Sequence, residues 1–478
     1  MSTSRWAPAL PAAVVFLLLA AVGGRYGHHR DELYFLEAGR HPAWSYPDQP
    51  ALVPLLARGW DAAVGGSLWG LRLPPALAVA LVVLVAARTA REVGGARPVH
   101  AFLAAAATAV AAVLLATGHL FSTTTFDLLT TSVLVLLLLR ALRLGGTRRW
   151  LLLGLVAGLA LHVKLLAAVV LLCCAAALLA CGPRAALRSA GPWVAAATAG
   201  VLALPLVAWQ ASHGWPQART SRAIAAGSSG TSVQRWEVLA QQPLMLGPLL
   251  LPVFVVGLIA LWRSPQRWLA VTYALLLVET VATGGKPYYT MGLAPAVLAA
   301  AAAPLVRWSS GRRLRRGVLA GALVLNLVGG ALATLPWLPA RRAGPLLAVN
   351  YDLGEQVGWP EMVDVVASAA ADLPATTVVV TANYGEAGAL ARARRQGVDL
   401  PAVHSGHNDF ADWGPPPASA TTVLLVGLER PDVFSGCRVV ARLANDAGLA
   451  NDEAGAPVSV CTADGDWRRD WPRLRRLG

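Results

Sequence analysis

From residue 9 to residue 337, apolar side chains come in near-continuous blocks of 14–24 residues separated by short polar loops. The blocks lie at 9–24, 67–87, 99–118, 128–144, 150–163, 165–181, 192–210, 239–262, 268–283, 288–306 and 318–337. Runs of this length predict helices that cross a bilayer, about eleven of them. After residue 339 the pattern changes to short apolar runs among charges and prolines. Residues 376–381 (TTVVVT), 421–427 (TTVLLVG) and 438–443 read as strands. Between the first two, Asn383-Tyr384-Gly385-Glu386 opens a helix that reaches Arg395. Strand, tight turn and helix in this order predict a small α/β domain. Gly385 and Gly388 at that helix start read either as an ordinary turn or as backbone donors for an anion. The expected architecture is an α-helical polytopic membrane domain over 1–339, with a large first outer loop at 25–66, followed by an extracytoplasmic α/β domain over 340–478.

Composition agrees, at 56% hydrophobic and 14% charged. Arginine placement sets the expected orientation. Arg88, Arg91, Arg97, Arg140, Arg143, Arg148, Arg149, Arg184, Arg188, Arg263, Arg267, Arg307 and Arg312 to Arg316 fall on one side, the cytoplasmic face of a plasma (inner) membrane. The amino terminus is then inside and the carboxyl-terminal domain outside. This requires 150–181 to be two short spans with Lys164 at the outer turn between them. The net charge of +14 is topological rather than a sign of nucleic-acid binding: the first 339 residues hold 27 basic and 9 acidic side chains, the rest 13 and 17. The first block has no small-x-small cleavage site after it and reads as a retained span. Cys173, Cys174 and Cys181 lie in apolar helix. Cys437 and Cys461 lie in the outer domain, where an oxidising compartment allows a disulfide that spacing alone does not prove.

Five of the nine acids before residue 340 crowd into 31–61, directly after the first block. With the expected topology Asp31, Glu32, Glu37, Asp48, Asp61, Asp127, Glu237 and Glu279 all reach the outer face. Of forty basic residues only Lys164 and Lys286 are lysines, and both sit inside or beside apolar blocks. Charges kept at a membrane boundary point to a cavity or a reaction. Beyond a cell membrane an activated sugar is best supplied on a lipid phosphate. Its transfer needs a carboxylate to take the acceptor's proton and cations to stabilise the departing phosphate. Asp31 fits the base and Asp127 a second carboxylate, beside Glu32. Arg30, Lys164 and Lys286 fit phosphate partners. Each has a simpler reading: Asp31 or Glu32 as helix caps, Asp127 in a capped helix start after Ser122-Thr123-Thr124-Thr125, Lys164 reaching for the interface. His28 and the aromatics Tyr34, Trp44 and Tyr46 are candidate contacts or plain interfacial residues. In the outer domain, His404-Ser405-Gly406-His407-Asn408 with Trp413 is polar and aromatic enough for a sugar, and shows no metal-ligand spacing.

At these residues the sequence resembles the GT-C superfamily, in particular glycosyltransferase family 39 and its aminoarabinose-transferase-like relatives. The likeness is carried by Arg30-Asp31-Glu32-Leu33-Tyr34, by His41-Pro42 with Tyr46-Pro47-Asp48-Gln49-Pro50, by Asp127, by Gly158-Leu159-Ala160-Leu161-His162-Val163-Lys164, and by Lys286-Pro287-Tyr288-Tyr289 before Gly292-Leu293-Ala294-Pro295. It covers roughly residues 10–340. The resemblance implies an inverting transferase that uses a polyprenyl-phosphate sugar, with Asp31 as catalytic or acceptor-positioning carboxylate. Tyr288 then joins the phosphate group and Tyr289 the substrate contacts. Val163 departs from the family's threonine before the lysine, and the outer domain does not match the large carboxyl-terminal domain of better-known members. Acceptor identity (glycan, lipid or protein) is therefore not inherited. Metal dependence differs within the superfamily, so a divalent metal stays open. The competing reading is a transporter or a flippase for lipid-linked sugars. Against it, the charges gather at one face, and no pair of broken helices is evident in the two halves.

Overall fold

The computed structural model of the chain describes residues 7–95, 97–228, 232–430 and 432–478. They form two compact units. The first is Met1–Gly23, Arg72–Gly214 and Ile224–Leu335; the second is Gly24–Leu71, Trp215–Ala223 and Pro336–Gly478.

The first unit is helical, and every apolar block falls on a helix or a broken helix pair. Five helices are long and apolar enough to cross a membrane: Leu68–Glu92, Thr123–Leu144, Gly191–Ser212, Pro287–Ser309 and Arg313–Thr334. Two pairs qualify only when joined: Pro98–Ala109 with Ala112–Gly118, bent by 62°, and Glu237–Leu246 with Pro248–Trp262, bent by 89°. By length and composition that makes five to seven spans among the described residues, against the eleven expected. The remaining blocks form shorter helices, such as Ala9–Val22 and Leu166–Cys181. At 1.5 Å per residue, a helix of 14–16 residues falls short of a hydrocarbon core about 30 Å thick. The chain is a multi-pass membrane protein.

Both bends are satisfied by one side chain. Asn326, 4% exposed on the Arg313–Thr334 helix, donates from Nδ2 to the carbonyls of Val110 at 2.8 Å and Leu246 at 3.2 Å. Broken helices free carbonyls that lipid cannot solvate, so a partner of this kind is required. Small residues allow the tight packing elsewhere. Ala90, Ala104, Ala299 and Ala302 share one core with Leu103. A Cβ at Gly154 would lie 2.5 Å from the Ala195 carbonyl, and one at Gly158 2.6 Å from Leu202 Cβ. This pair brings Thr147–Val163 against Gly191–Ser212.

The second unit is built on a five-stranded sheet in the order β2-β1-β3-β5-β4. Its strands are β1 (Val378–Thr381), β2 (Ala402–Ser405), β3 (Thr422–Val426), β4 (Ser435–Arg442) and β5 (Pro457–Thr462). β1 pairs in parallel with β2 and β3; β5 pairs antiparallel with β3 and β4. Alternate residues serve two cores, as the period of a strand dictates. Val379, Leu424, Val426 and Val458 pack with the helices Trp359–Ala370 and Tyr384–Arg395. Val378, Val380, Val423 and Leu425 pack with Trp467 and Trp471. A sheet covered on both faces explains why Val378, Val379 and Val380 run apolar without alternation. Cys437 and Cys461 form a disulfide between β4 and β5. The segment Gly24–Leu71, after the first apolar block, is part of this unit. Leu33, on the helix Arg30–Ala38, enters the same core as Leu390.

Candidate active site

In the first unit, three separate segments converge. Ser122 caps the Thr123–Leu144 helix by accepting from the Thr125 amide at 3.3 Å, which places Thr124 and Asp127 in its first turns. Lys164 stands in the extended break between the helices Thr147–Val163 and Leu166–Cys181. Its ammonium donates to Thr124 Oγ1 at 3.3 Å and lies 4.9 Å from the ring centres of both Tyr288 and Tyr289. It also attracts the carboxylate of Asp127. Asp127 is 4% exposed, and its Oδ1 has no hydrogen-bond partner among the described residues. Two aromatic faces keep an ammonium favourable in apolar surroundings. Gln242 anchors the tyrosines: it donates to the Pro287 carbonyl at 3.0 Å and accepts from Thr290 at 2.7 Å and Tyr273 at 3.1 Å. Lys286 immediately precedes this segment as its N-cap. The structure thus gathers Asp127, Lys164, Tyr288 and Tyr289, four residues singled out in the sequence.

In the second unit, Asp31 lies in the first turn of the Arg30–Ala38 helix and accepts at Oδ1 from the Tyr384 hydroxyl at 2.8 Å. Its neighbours have other work. Glu32 is fully buried and closes a capping box, accepting from the His29 amide at 2.8 Å. Arg30, expected at a phosphate, is engaged by Glu355 at 3.1 Å and by Asp452. Tyr46, expected as a contact, is buried and donates to the Ala38 carbonyl at 2.8 Å, with the His41 carbonyl at 3.2 Å as the alternative acceptor, closing the end of the same helix. The carbonyl of His28 accepts from the Trp359 indole at 2.8 Å. Gly385 and Gly388 serve close packing. A Cβ at Gly385 would lie 2.7 Å from Arg30 Cβ, and one at Gly388 2.9 Å from the Leu33 carbonyl carbon.

Tyr34 is buried, with its hydroxyl 2.8 Å from Asp48 Oδ1 and 3.0 Å from Asp409 Oδ2. A phenol has one proton to give, so two such contacts require a proton on one carboxyl. Burial accordingly pushes Asp48 up to about 7 and Asp409 well above the usual carboxylate range. Asn408 adds a donor to Asp48 Oδ2 at 3.2 Å. The polar loop read as a sugar site is largely turned inward. His407 meets the Gly478 carbonyl at 2.7 Å, and Trp413 stacks on His41 at 4.0 Å. A cavity of ≈270 Å³ opens beside it, lined by His404, Phe410, Trp413, Arg394 and Arg395. Among the described residues, no group of three or more His, Cys, Asp and Glu is arranged to hold a metal ion. Tyr384, Asp409 and Gln242 were not picked out as site residues. Each acts on a partner at least 31 residues away in the chain, and local pattern carries no signal for that.

The fold is shared with known proteins. The family described as dolichyl-phosphate-mannose-protein mannosyltransferase matches over residues 48–209. No curated protein matches the chain. ArnT from Cupriavidus metallidurans in the apo state is 16% identical, with a TM-score of 0.58 over 98% of each chain. The same protein bound to undecaprenyl phosphate gives 0.57 at 16% identity, over 95% of this chain and 97% of the other. The arabinofuranosyltransferase AftD from Mycobacteria gives 0.55 at 16% identity, over 97% of this chain and 42% of the other. The resemblance read from the sequence is borne out: the chain has the fold of the GT-C glycosyltransferases.

Proposed function

We propose that the protein transfers a sugar from a polyprenyl-phosphate donor to an acceptor outside the cytoplasm, with inversion at the anomeric carbon. The observation that carries this reading is the convergence of Asp127, Lys164, Tyr288 and Tyr289 at the ends of membrane helices. A lipid phosphate needs a fixed cation at that depth, and a protein of like fold binds undecaprenyl phosphate. Lys164, with Lys286 and the Tyr288 hydroxyl, holds the donor phosphate. The acceptor hydroxyl attacks the anomeric carbon while Asp31 takes its proton. The bond from that carbon to the phosphate oxygen breaks, and its electron pair leaves with the phosphate, whose added charge Lys164 stabilises. Asp127 holds the lysine charged and directed. Arg30 and Glu32 fix the helix that presents Asp31 and take no part in the chemistry. Tyr34 and Tyr46 support the same helix from within.

The arginine-rich loops favour an extracytoplasmic reaction, because they put the acidic segments on the opposite face. The test is transfer by purified protein from a panel of polyprenyl-phosphate hexoses and pentoses. Turnover of one of them supports the reading. Movement of the lipid donor across liposomes without turnover would replace it with the flippase reading.

A further inference from the structure

Tyr384 comes from the β1-to-helix turn of the carboxyl-terminal domain, 353 residues along the chain from the carboxylate it touches. Its hydroxyl donates to Asp31 Oδ1 at 2.8 Å, while Oδ2 has no hydrogen-bond partner among the described residues. The ring is held on several sides. It stacks on Tyr34 at 4.7 Å with an interplanar angle of 29°, Arg30 lies 5.7 Å from its centre, and the His407 ring lies at 4.9 Å. The backbone is held as well, because Tyr384 is the first residue of a helix closed by a capping box. Asn383 Oδ1 accepts from the Glu386 amide at 2.9 Å, and Glu386 accepts from the Asn383 amide at 3.0 Å. Gly385 and Gly388 then let that helix lie directly on the one bearing Asp31. Burial and the charge of Asp31 keep the phenol protonated, so it remains a donor.

We propose that Tyr384 is the positioning residue for the proposed base: it occupies one oxygen of Asp31, fixes the carboxylate plane, and leaves Oδ2 directed at the acceptor hydroxyl. This rests on the reading of Asp31 as base, and it gives the carboxyl-terminal domain a direct part in the chemistry. A hydrogen bond donated to a carboxylate favours its ionised form. Without it, the Asp31 carboxylate loses its fixed orientation.

Tyr384→Phe keeps the ring and its stacking and removes only the hydroxyl. With the donor panel, kcat falls by about ten-fold or more, the range set by losing one charge-assisted hydrogen bond. KM for the lipid donor stays within about two-fold, because the hydroxyl touches the proposed base and not the lipid phosphate. Adding Tyr384→Phe to Asp31→Asn causes no further loss. A second readout needs no turnover. The infrared carboxylate stretch of Asp31, isolated by subtracting Asp31→Asn, shifts in Tyr384→Phe because one oxygen loses its hydrogen bond. Unchanged kcat, or an unmoved infrared stretch, would overturn the proposal. If the wild type turns over no donor, the functional reading fails, and the infrared stretch alone decides the positioning role.

Discussion

Replacing Gly388 by alanine adds one methyl where the helix Tyr384–Arg395 crosses the one bearing Asp31. That Cβ would sit 2.9 Å from the Leu33 carbonyl carbon and 3.0 Å from both Leu33 Cβ and Leu33 O. Two of those atoms are backbone, so no rotamer change relieves the clash, and the helices must separate by roughly half an ångström or more to reach ordinary contact near 3.5–4.0 Å. Overpacking of this kind costs about 1–3 kcal/mol, against which alanine returns about 1 kcal/mol of helix propensity. The net expectation is a loss of about 0–2 kcal/mol, read as a drop of up to roughly 8 °C in apparent Tm for a unit of about 200 residues, and a melt below that of a helix glycine free to accept alanine. The same displacement stretches the 2.8 Å bond from Tyr384 to Asp31, so turnover falls with stability. The control is Gly59→Ala in the helix Leu52–Ala63, where an added Cβ meets nothing within 4 Å. That variant should be neutral or slightly stabilising. Thermal unfolding of the purified proteins in one detergent, followed by tryptophan fluorescence, makes the comparison. Equal melting of Gly388→Ala and the control would refute the close-packing argument.

Other outcomes are expected from the same structure. Lys164→Met should lower kcat/KM for the lipid donor by up to about a thousand-fold, the scale of about 4 kcal/mol for one charge pair near 4 Å at an effective dielectric near 20, with Lys164→Arg in between; unchanged kinetics would remove Lys164 from the site. Asn326→Leu leaves the Val110 and Leu246 carbonyls without their donor and should lower stability by about 2–4 kcal/mol, measured by the same melts. Stability of the second unit should fall as pH rises from about 5 to 8, because burial raises Asp48 and Glu453 to about 7 in the folded state, against roughly 4 when unfolded. The folded form then binds the extra protons, its advantage is complete below the unfolded values, and it is lost through pH 7 at up to about 1.4 kcal/mol per pH unit for each group. Asp48→Asn should flatten that slope in a pH series of melts.

What could be read from the chain was whatever its local pattern encodes. TTVVVT announced β1 because both its faces are buried. By contrast, β2 is a four-residue edge strand containing a histidine, and β5 begins at a proline, so neither carried a clear run. Lys164 stood out because lysine is rare in this chain and its surroundings are apolar, and the structure places it in a helix break. The number of spans was not readable. The 62° bend at Val110-Ala111 has no proline or glycine to mark it, whereas Gly247-Pro248 did mark the other. The ion pairs of Arg30 were not readable for a general reason. Its partners Glu355 and Asp452 lie 325 and 422 residues away, and an ion pair at that separation leaves no trace in spacing. Glu32 did leave one: it stands three residues after His29, in capping-box register with a histidine where serine or threonine is usual.

The most direct test of the account is sugar transfer from polyprenyl-phosphate monosaccharides by purified wild type and Asp31→Asn, with melting curves run on both. Wild type should transfer sugar from at least one donor, and Asp31→Asn should melt like wild type yet be at least about a hundred-fold slower, the usual scale for removing a general base. A folded Asp31→Asn protein that transfers sugar at the wild-type rate would contradict it.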